Sequence, residues 1–504
     1  LWVLNSMLNG KEAKDKLLIG IDKVYSALAP TLGPAPRLVL IDSDEHDKDP
    51  LILDDGVNIS KFIKSDCPYE MAGIKLMRMV AHEAQKASGD GTTSATVIAK
   101  HLITNLFEEE HHPVRLEKNL LKAWESFKNS LEESKWDASP EELREVCLSA
   151  LNYDELSAGC IMEAFDSVGA EGIVMVHEHP GELTKVETTQ GLTLNKGFVS
   201  HLFAGSRDGK VVYENPAVLV TDHDIVTFDE LIPALQCAAE NKKPLIIIAA
   251  GWKPHAIQNL LLNAVNGKVM ACAINAPAGG EERAEIYEDI ATSLGCKPIL
   301  AAKGERLEDR DYSLEDFGSA ELVSIDRNTT VFSGVGGNDE EIEARIEHLE
   351  QLKADADHPF YEQKYNMRIA KLRGKIATIK VGGLTDVEVR ERHERIDDAV
   401  NAVRSALTGG VVLGGGMMPY KIKTGFVAFD NALKSLVQTM VKNWGREMPQ
   451  TDDDWIFFDA STGRFNAYDN HLVDSHDVIL NSVKAAVSVA TLVLKTETIL
   501  SESK

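Results

Sequence analysis

Gly89-Asp90-Gly91-Thr92-Thr93-Ser94-Ala95-Thr96 places two glycines, a carboxylate and a row of hydroxyls at the head of an apolar stretch running to about Phe107. Glycines let backbone N–H groups approach an anion closely. The helix predicted after them, Thr93 to roughly Phe107, adds unpaired N–H groups and the positive end of its dipole. This combination suits phosphate. Asp90 is misplaced beside phosphate alone, but it fits if a Mg2+ ion lies between the two. Mg2+ takes one or two carboxylates and completes its octahedron with phosphate oxygens and water. In isolation the run also reads as a tight turn whose Asp and Thr cap a helix, so its meaning depends on its companions.

Three companions follow the same style. Thr31-Leu32-Gly33-Pro34 closes a helix-like segment, Ala13 to Leu28, with a Gly-Pro turn, and Asp54-Asp55-Gly56-Val57 is a second glycine-bearing loop. Far downstream, Thr408-Gly409-Gly410-Val411-Val412-Leu413-Gly414-Gly415-Gly416 is preceded by a charged helix that carries Asp397-Asp398. In order and wording, TLGP, DDGV, GDGTTSAT, VGGLTDVEVRERHERIDDAVNAVRSAL and GGVVLGGG resemble the GroEL-type (group I) chaperonins. Ala291-Thr292 and Leu314-Glu315-Asp316-Phe317-Gly318-Ser319-Ala320 continue the resemblance through the middle of the chain, so it covers essentially the whole length.

Composition sets the limits. A chain of 504 residues is too long for one core and should hold two or three domains. With 44% hydrophobic and 26% charged residues it reads as a soluble globular protein. No stretch reads as an uninterrupted bilayer span, and the N-terminus lacks a signal-peptide pattern, so a cytoplasmic protein is expected. The six cysteines (67, 147, 160, 237, 272 and 296) are scattered with no CxxC, which fits small buried hydrophobes in a reducing compartment. A formal charge of −26 disfavours nucleic acid and anionic membranes as partners. The fifteen histidines show no HExxH-like ligand spacing, and His111-His112 reads as a solvated turn before Pro113.

Apolar residues three and four apart predict helices over Lys14–Leu28, Gly73–Ala87, Ser94–Phe107 and Leu116–Glu133, and a buried helix over Ser482–Leu500. Between these helical ends the texture becomes α/β. Gly172–Val176, Ala217–Val220, Leu245–Ile248 and Lys268–Ala273 read as strands, separated by helices near 228–240 and 254–265. Helical ends around an α/β middle imply one domain inserted into another. The resemblance implies the same plan: an equatorial nucleotide-binding domain (1–134 plus 408–504), an intermediate hinge domain (135–189 plus 375–407) and an apical α/β domain (190–374). The helix Thr385–Leu407 is too densely charged for burial and reads as a solvated face laced with i to i+4 pairs. The resemblance makes it the hinge helix that swings over the nucleotide, with Gly409 and Gly410 as the lower hinge and Gly191 and Gly374 near the upper one. Lys375 stands where a second glycine is usual in the family.

By the same resemblance, Thr31, Leu32, Gly33, Pro34, Asp54, Gly56, Gly414 and Gly415 line ATP, and Gly89, Asp90, Gly91, Thr92, Thr93 and Ser94 hold its phosphates. Asp90 coordinates Mg2+, with K+ as a further candidate ion. Asp459, Ala460, Ser461 and Asp474 contact adenine and ribose. Asp398 orients the attacking water and Asp55 supports it, a role consistent with phosphoryl chemistry, which needs an aligned water, a metal and charge neutralisation. Two lysines usual near the phosphates are absent: Asp54 replaces one, and Ala35, followed by Pro36, replaces the other. A cation exchanged for an anion there weakens ATP binding unless another cation compensates.

The segments Phe228–Ala239 and Pro254–Asn263 are amphipathic, and such faces ordinarily turn to a core. The resemblance instead makes Phe198, Leu202, Phe203, Ile232, Leu235, Ile257, Leu261 and Leu262 a groove for non-native polypeptides, shared with a lid co-chaperonin. The expected protein is an ATP-dependent chaperone forming a homo-oligomeric, seven-membered ring. The rival readings are a holdase or scaffold that no longer hydrolyses ATP and, with little support, a small-molecule kinase. Phosphate release separates the first two.

Overall fold

Six apolar-faced helices build the core of the first part of the molecule: Gly10–Leu28, Pro68–Ser88, Thr92–Glu108, Pro113–Glu133, Val427–Asn443 and His476–Leu494. All but Val427–Asn443 coincide with stretches whose three- and four-residue spacing predicts a helix. The computed structural model describes residues 4–33, 37–41, 51–53, 56–169, 172–204, 209–276, 283–354, 359–448, 456–459, 463–467 and 472–502. The chain divides into two compact units, one made of residues 1–166, 176–186 and 379–504, the other of 167–175 and 187–378.

In the first unit, two glycines let the helices Gly10–Leu28 and Pro68–Ser88 cross at backbone contact. A Cβ on Gly20 would lie 2.0 Å from the carbonyl oxygen of Glu70, and one on Gly73 would lie 2.3 Å from that of Leu17. Beside this crossing Glu70 accepts hydrogen bonds from Lys23 (2.8 Å), Ser65 (2.7 Å) and Lys16 (3.0 Å), which hold its carboxyl down at about 2. The charged helix Asp386–Gly409 has two characters. Its first half carries the predicted i to i+4 pairs, Glu388–Arg392 and Glu391–Arg395, whereas Ala399, Val400, Ala402, Val403 and Ala406 in its second half are buried. Ala402 and Ala406 pack with Leu143 and Val146 of the helix Pro140–Ala150 and with Val411 and Val473.

The buried helix expected over Ser482–Leu500 instead runs from His476 to Leu494. After Lys495-Thr496-Glu497 the chain turns extended, and Thr498–Glu502 pairs antiparallel with Leu4–Asn9. A strand partner almost 490 residues away supplies the backbone hydrogen bonds that another helical turn would have supplied. His476–Leu494 is long and apolar enough to cross a bilayer by length and composition, and more than half of that stretch is buried inside the protein. Ile479, Val483, Ala486, Ala490 and Val493 sit in the helical core.

The second unit is built on one sheet. Ala271–Asn275, Leu245–Ala249 and Ala217–Val220 run parallel, followed by Gly318–Ile325, Thr330–Val335 and Lys185–Leu194 in antiparallel pairing. The strand period of two divides the side chains between two cores. Val218, Val220, Ile246, Ile248, Cys272 and Ile274 join one core, which the helix Arg283–Leu294 covers through Tyr287, Ile290, Ala291 and Leu294. Ala217, Leu219, Leu245, Ile247, Ala271 and Ala273 join the other, covered by the helices Ile232–Glu240 and Pro254–Val265. Strands covered on both faces read as continuous apolar runs, as LIII and AVLV do here. A charge cluster around the buried Arg368 and Asp289 closes the unit: Arg368 donates to Asp289 at 2.6 and 3.0 Å and to the exposed Glu285 at 2.6 Å, and Arg345 donates to Asp289 at 2.7 Å.

Candidate nucleotide site and apolar surface

The loop that opens the helix Thr92–Glu108 is held by contacts that leave no space for side chains. Gly89 and Gly91 have φ of 71° and 82°, the left-handed region where glycine is at ease. A Cβ on Gly91 would meet the hydroxyl oxygen of Ser482 at 2.3 Å, and that hydroxyl donates to the Gly91 carbonyl at 3.0 Å. Gly91 caps the helix without a side-chain hydrogen bond, and the first helical bond runs from Ala95 N–H to the Gly91 carbonyl at 2.9 Å. The N–H groups of Thr92, Thr93 and Ser94 therefore have no partner within the helix. The Gly91 N–H donates to the Asp90 carboxylate, fixing it at the loop. Across the loop the Thr31 and Thr93 hydroxyls lie 3.2 Å apart.

This loop forms one wall of a cavity within the first unit. Of the residues the sequence assigns, Thr31, Leu32, Gly33, Gly56, Asp90, Gly91, Thr92, Thr93, Ser94, Asp398, Gly415 and Asp474 line it. Gly89 and Gly414 shape it without being lining residues: a Cβ on Gly89 would meet the Asn401 side chain at 2.6 Å, and one on Gly414 would meet the Val473 backbone at 2.6 Å. Asp459 ends the strand Ile456–Asp459, where its carbonyl accepts from Gly463 N–H at 2.8 Å. Pro34, Asp54, Asp55, Ala460 and Ser461 lie outside the described residues, as do Ala35 and Pro36.

Several lining residues were not assigned from the sequence: Ser149, Ala150, Asn152, Arg395, Gly416, Leu436 and Met440 among them. Asn152 has a φ of 55°, and no motif marks it. Leu436 and Met440 lie one turn apart on Val427–Asn443, where their spacing reads simply as core. Arg395 was legible only as one member of a charged face.

Strand pairing places Asp474 opposite Val412 at the cavity edge, where it accepts from Gly416 N–H at 3.2 Å. Burial pushes its carboxyl up to about 6, with Asp90 adding repulsion and the Gly415 and Gly416 N–H groups opposing the shift. The lining offers carboxylates, hydroxyls and backbone groups and no thiol or imidazole, a donor set that fits a hard ion such as Mg2+. Among the described residues no group of three or more His, Cys, Asp or Glu could hold a metal by itself. An ion here would complete its shell with ligand oxygens.

The eight apolar positions in the second unit divide in two. Leu202 and Leu262 are 57% and 62% exposed, and Phe203, Ile232 and Ile257 are half-buried. Phe198, Leu235 and Leu261 are buried, at 9%, 6% and 9%, contrary to the expectation that all eight face solvent. Phe198 bridges Ile274 at the sheet edge and joins its core. Leu235 shares a helix face with Leu231, Ala234 and Ala238, the face that covers the sheet.

The sequence profile of the TCP-1/cpn60 chaperonin family matches residues 24–504. Among solved structures the chain is similar to the chaperonin gp146 of the Pseudomonas aeruginosa bacteriophage EL, crystallised in the presence of ATP-BeFx. One crystal form superposes with a TM-score of 0.63 at 20% identity over 99% of both chains. A second form gives 0.62 at 20% identity over the full length of both. At that identity the likeness is one of fold.

Proposed function

This chain belongs to the TCP-1/cpn60 chaperonin family, and from that premise we propose which of its residues do the family's work. As a chaperonin it is an ATP-dependent chaperone and an ATPase. In our reading the N–H groups at the head of Thr92–Glu108 hold the ATP phosphates. Thr31–Pro34, Asp54, Gly56, Gly414 and Gly415 flank the nucleotide, and Asp474 and Asp459–Ser461 take ribose and adenine. Asp90 would hold a Mg2+ ion, which when bound would neutralise charge developing on the phosphates; K+ is a second candidate ion. Asp398 accepts a hydrogen bond from the attacking water and aligns it with the γ-phosphate, with Asp55 in support.

In the same reading residues 1–134 plus 408–504, 135–189 plus 375–407 and 190–374 are equatorial, intermediate and apical domains of a seven-membered, cytoplasmic ring. Gly409–Gly410 and Gly191/Gly374 are its hinges. The apical surface around Leu202 and Leu262 takes non-native polypeptides and a lid co-chaperonin. Six free cysteines suit a reducing compartment.

The observation that carries the nucleotide reading is the meeting, in one cavity, of an uncapped helix start, Asp90 and Asp398 from segments some 300 residues apart. Steady-state phosphate release by the assembled protein, with and without Mg2+, tests it. Hydrolysis that requires Mg2+ and slows by orders of magnitude in Asp398→Ala is expected. Turnover indifferent to both would remove the assignment.

A further inference from the structure

Charge in the cavity is lopsided. Its described lining contains three carboxylates, Asp90, Asp398 and Asp474, and a single cationic side chain, Arg395. A triphosphate adds roughly four negative charges, of which one Mg2+ offsets two. At the two positions where the family resemblance leads one to expect lysines, the sequence has Asp54 and Ala35. Some group must balance the remainder.

Arg395 is placed to do so. It stands one turn before Asp398 on the helix Asp386–Gly409, so both side chains share a face. Its guanidinium is paired with Glu391 on the preceding turn through one terminal nitrogen. Its Nε is buried and has no hydrogen-bond partner. A buried N–H without an acceptor is costly, and a guanidinium presents Nε and a terminal nitrogen as a fork that matches two oxygens of one phosphate. We propose that Arg395 is the phosphate-binding cation of this site, its fork taking the terminal phosphate of ATP in place of Glu391. The proposal rests on the nucleotide reading of the cavity and assigns Glu391 a role as competing anion: it holds the guanidinium while the phosphate is away and gives it up when the phosphate arrives. A group that engages the terminal phosphate distinguishes ATP from ADP, whereas a merely structural ion pair would not.

Calorimetric titration of the assembled protein with ATP, a non-hydrolysable ATP analogue and ADP, each with Mg2+, separates the possibilities. Arg395→Ala should weaken ATP and its analogue by about 10- to 100-fold, the loss expected for a hydrogen bond to a charged group, and ADP by less than about threefold. Arg395→Lys should recover part of the loss, since it restores the charge without the fork. Glu391→Gln should tighten ATP by about two- to fivefold by removing the competitor. Parallel losses of ATP and ADP in Arg395→Ala, or unchanged ATP affinity in that variant, would overturn the role of Arg395. Weaker ATP binding by Glu391→Gln would do the same, and that variant retains the guanidinium in case the alanine variant fails to fold. Failure of the unsubstituted protein to bind either nucleotide would instead defeat the reading of the cavity, and the proposal with it.

Discussion

The proposed phosphate loop and the apolar surface of the second unit are built from different materials. At Gly89–Ser94 the proposed working parts are backbone N–H groups, and at Gly89 and Gly91 the residue type is dictated by φ angles and by contacts closer than a Cβ tolerates. On Ile232–Glu240 and Pro254–Val265 the proposed working parts are apolar side chains, and many types serve equally well. Adjacent positions there differ completely in environment: Leu261 is 9% exposed and Leu262 is 62% exposed. A backbone site is exacting about composition and indifferent to what lies beyond it. A side-chain surface is tolerant of composition and depends on which helix face the sheet has already claimed.

The largest effect should come at the nucleotide site. Asp398→Ala should slow hydrolysis by about 10²- to 10⁴-fold while ATP affinity stays within a few-fold, because water alignment is lost and no phosphate contact is removed. Phosphate release and equilibrium binding measured on the same sample check this, and a matching loss in both would sink it.

The apolar surface should break in two distinct ways. Leu235→Asp puts a carboxylate into the core beneath the sheet and should cost about 3–5 kcal/mol, melting the second unit. Leu262→Asp should leave the melting transition unchanged and reduce capture of an unfolded client. Thermal denaturation beside a client-aggregation assay tests the pair, and equal melting temperatures for the two variants would erase the distinction between them.

Gly91→Ala probes the exacting site. It should cost about 1–2 kcal/mol for the left-handed conformation alone, with the contact to Ser482 adding to it, and should weaken nucleotide binding. A variant with wild-type stability would show that the loop can relax.

The smallest effect is a pH dependence. The folded Asp474 carboxyl titrates at about 6 against an ordinary value of 3.8, so the folded state binds the extra proton between those values. Stability from this group is therefore present at low pH and is lost as pH rises through about 6. Asp474→Asn keeps an acceptor for Gly416 N–H and removes the charge. It should raise the melting temperature of the nucleotide-free protein at pH 8 by the equivalent of about 3 kcal/mol and at pH 5 by about half that, so the pH-dependent part is about 1–2 kcal/mol. An equal gain at both values would contradict the shift.

Much of the fold could be read without coordinates. The helices at both ends and the strands Ala217–Val220 and Leu245–Ala249 follow from local periodicity, because each element has to bury one stripe or both faces. The glycine loops and their order pointed to the cavity, since backbone geometry restricts residue choice within a few positions. Tertiary structure alone decided the rest. Thr498–Glu502 is a strand and not the end of a helix because Leu4–Asn9 lies beside it. Phe198, Leu235 and Leu261 are enclosed because the sheet and its neighbours take the faces that carry them. Arg395 became distinct from the other charges of its helix only when that helix placed it in the lining of the same cavity as Asp90 and Asp474, which lie some 305 and 79 residues away in sequence. Local sequence fixes what each segment can become, because propensity and φ are short-range. Which side chains meet is settled by packing between segments that no window of sequence contains together.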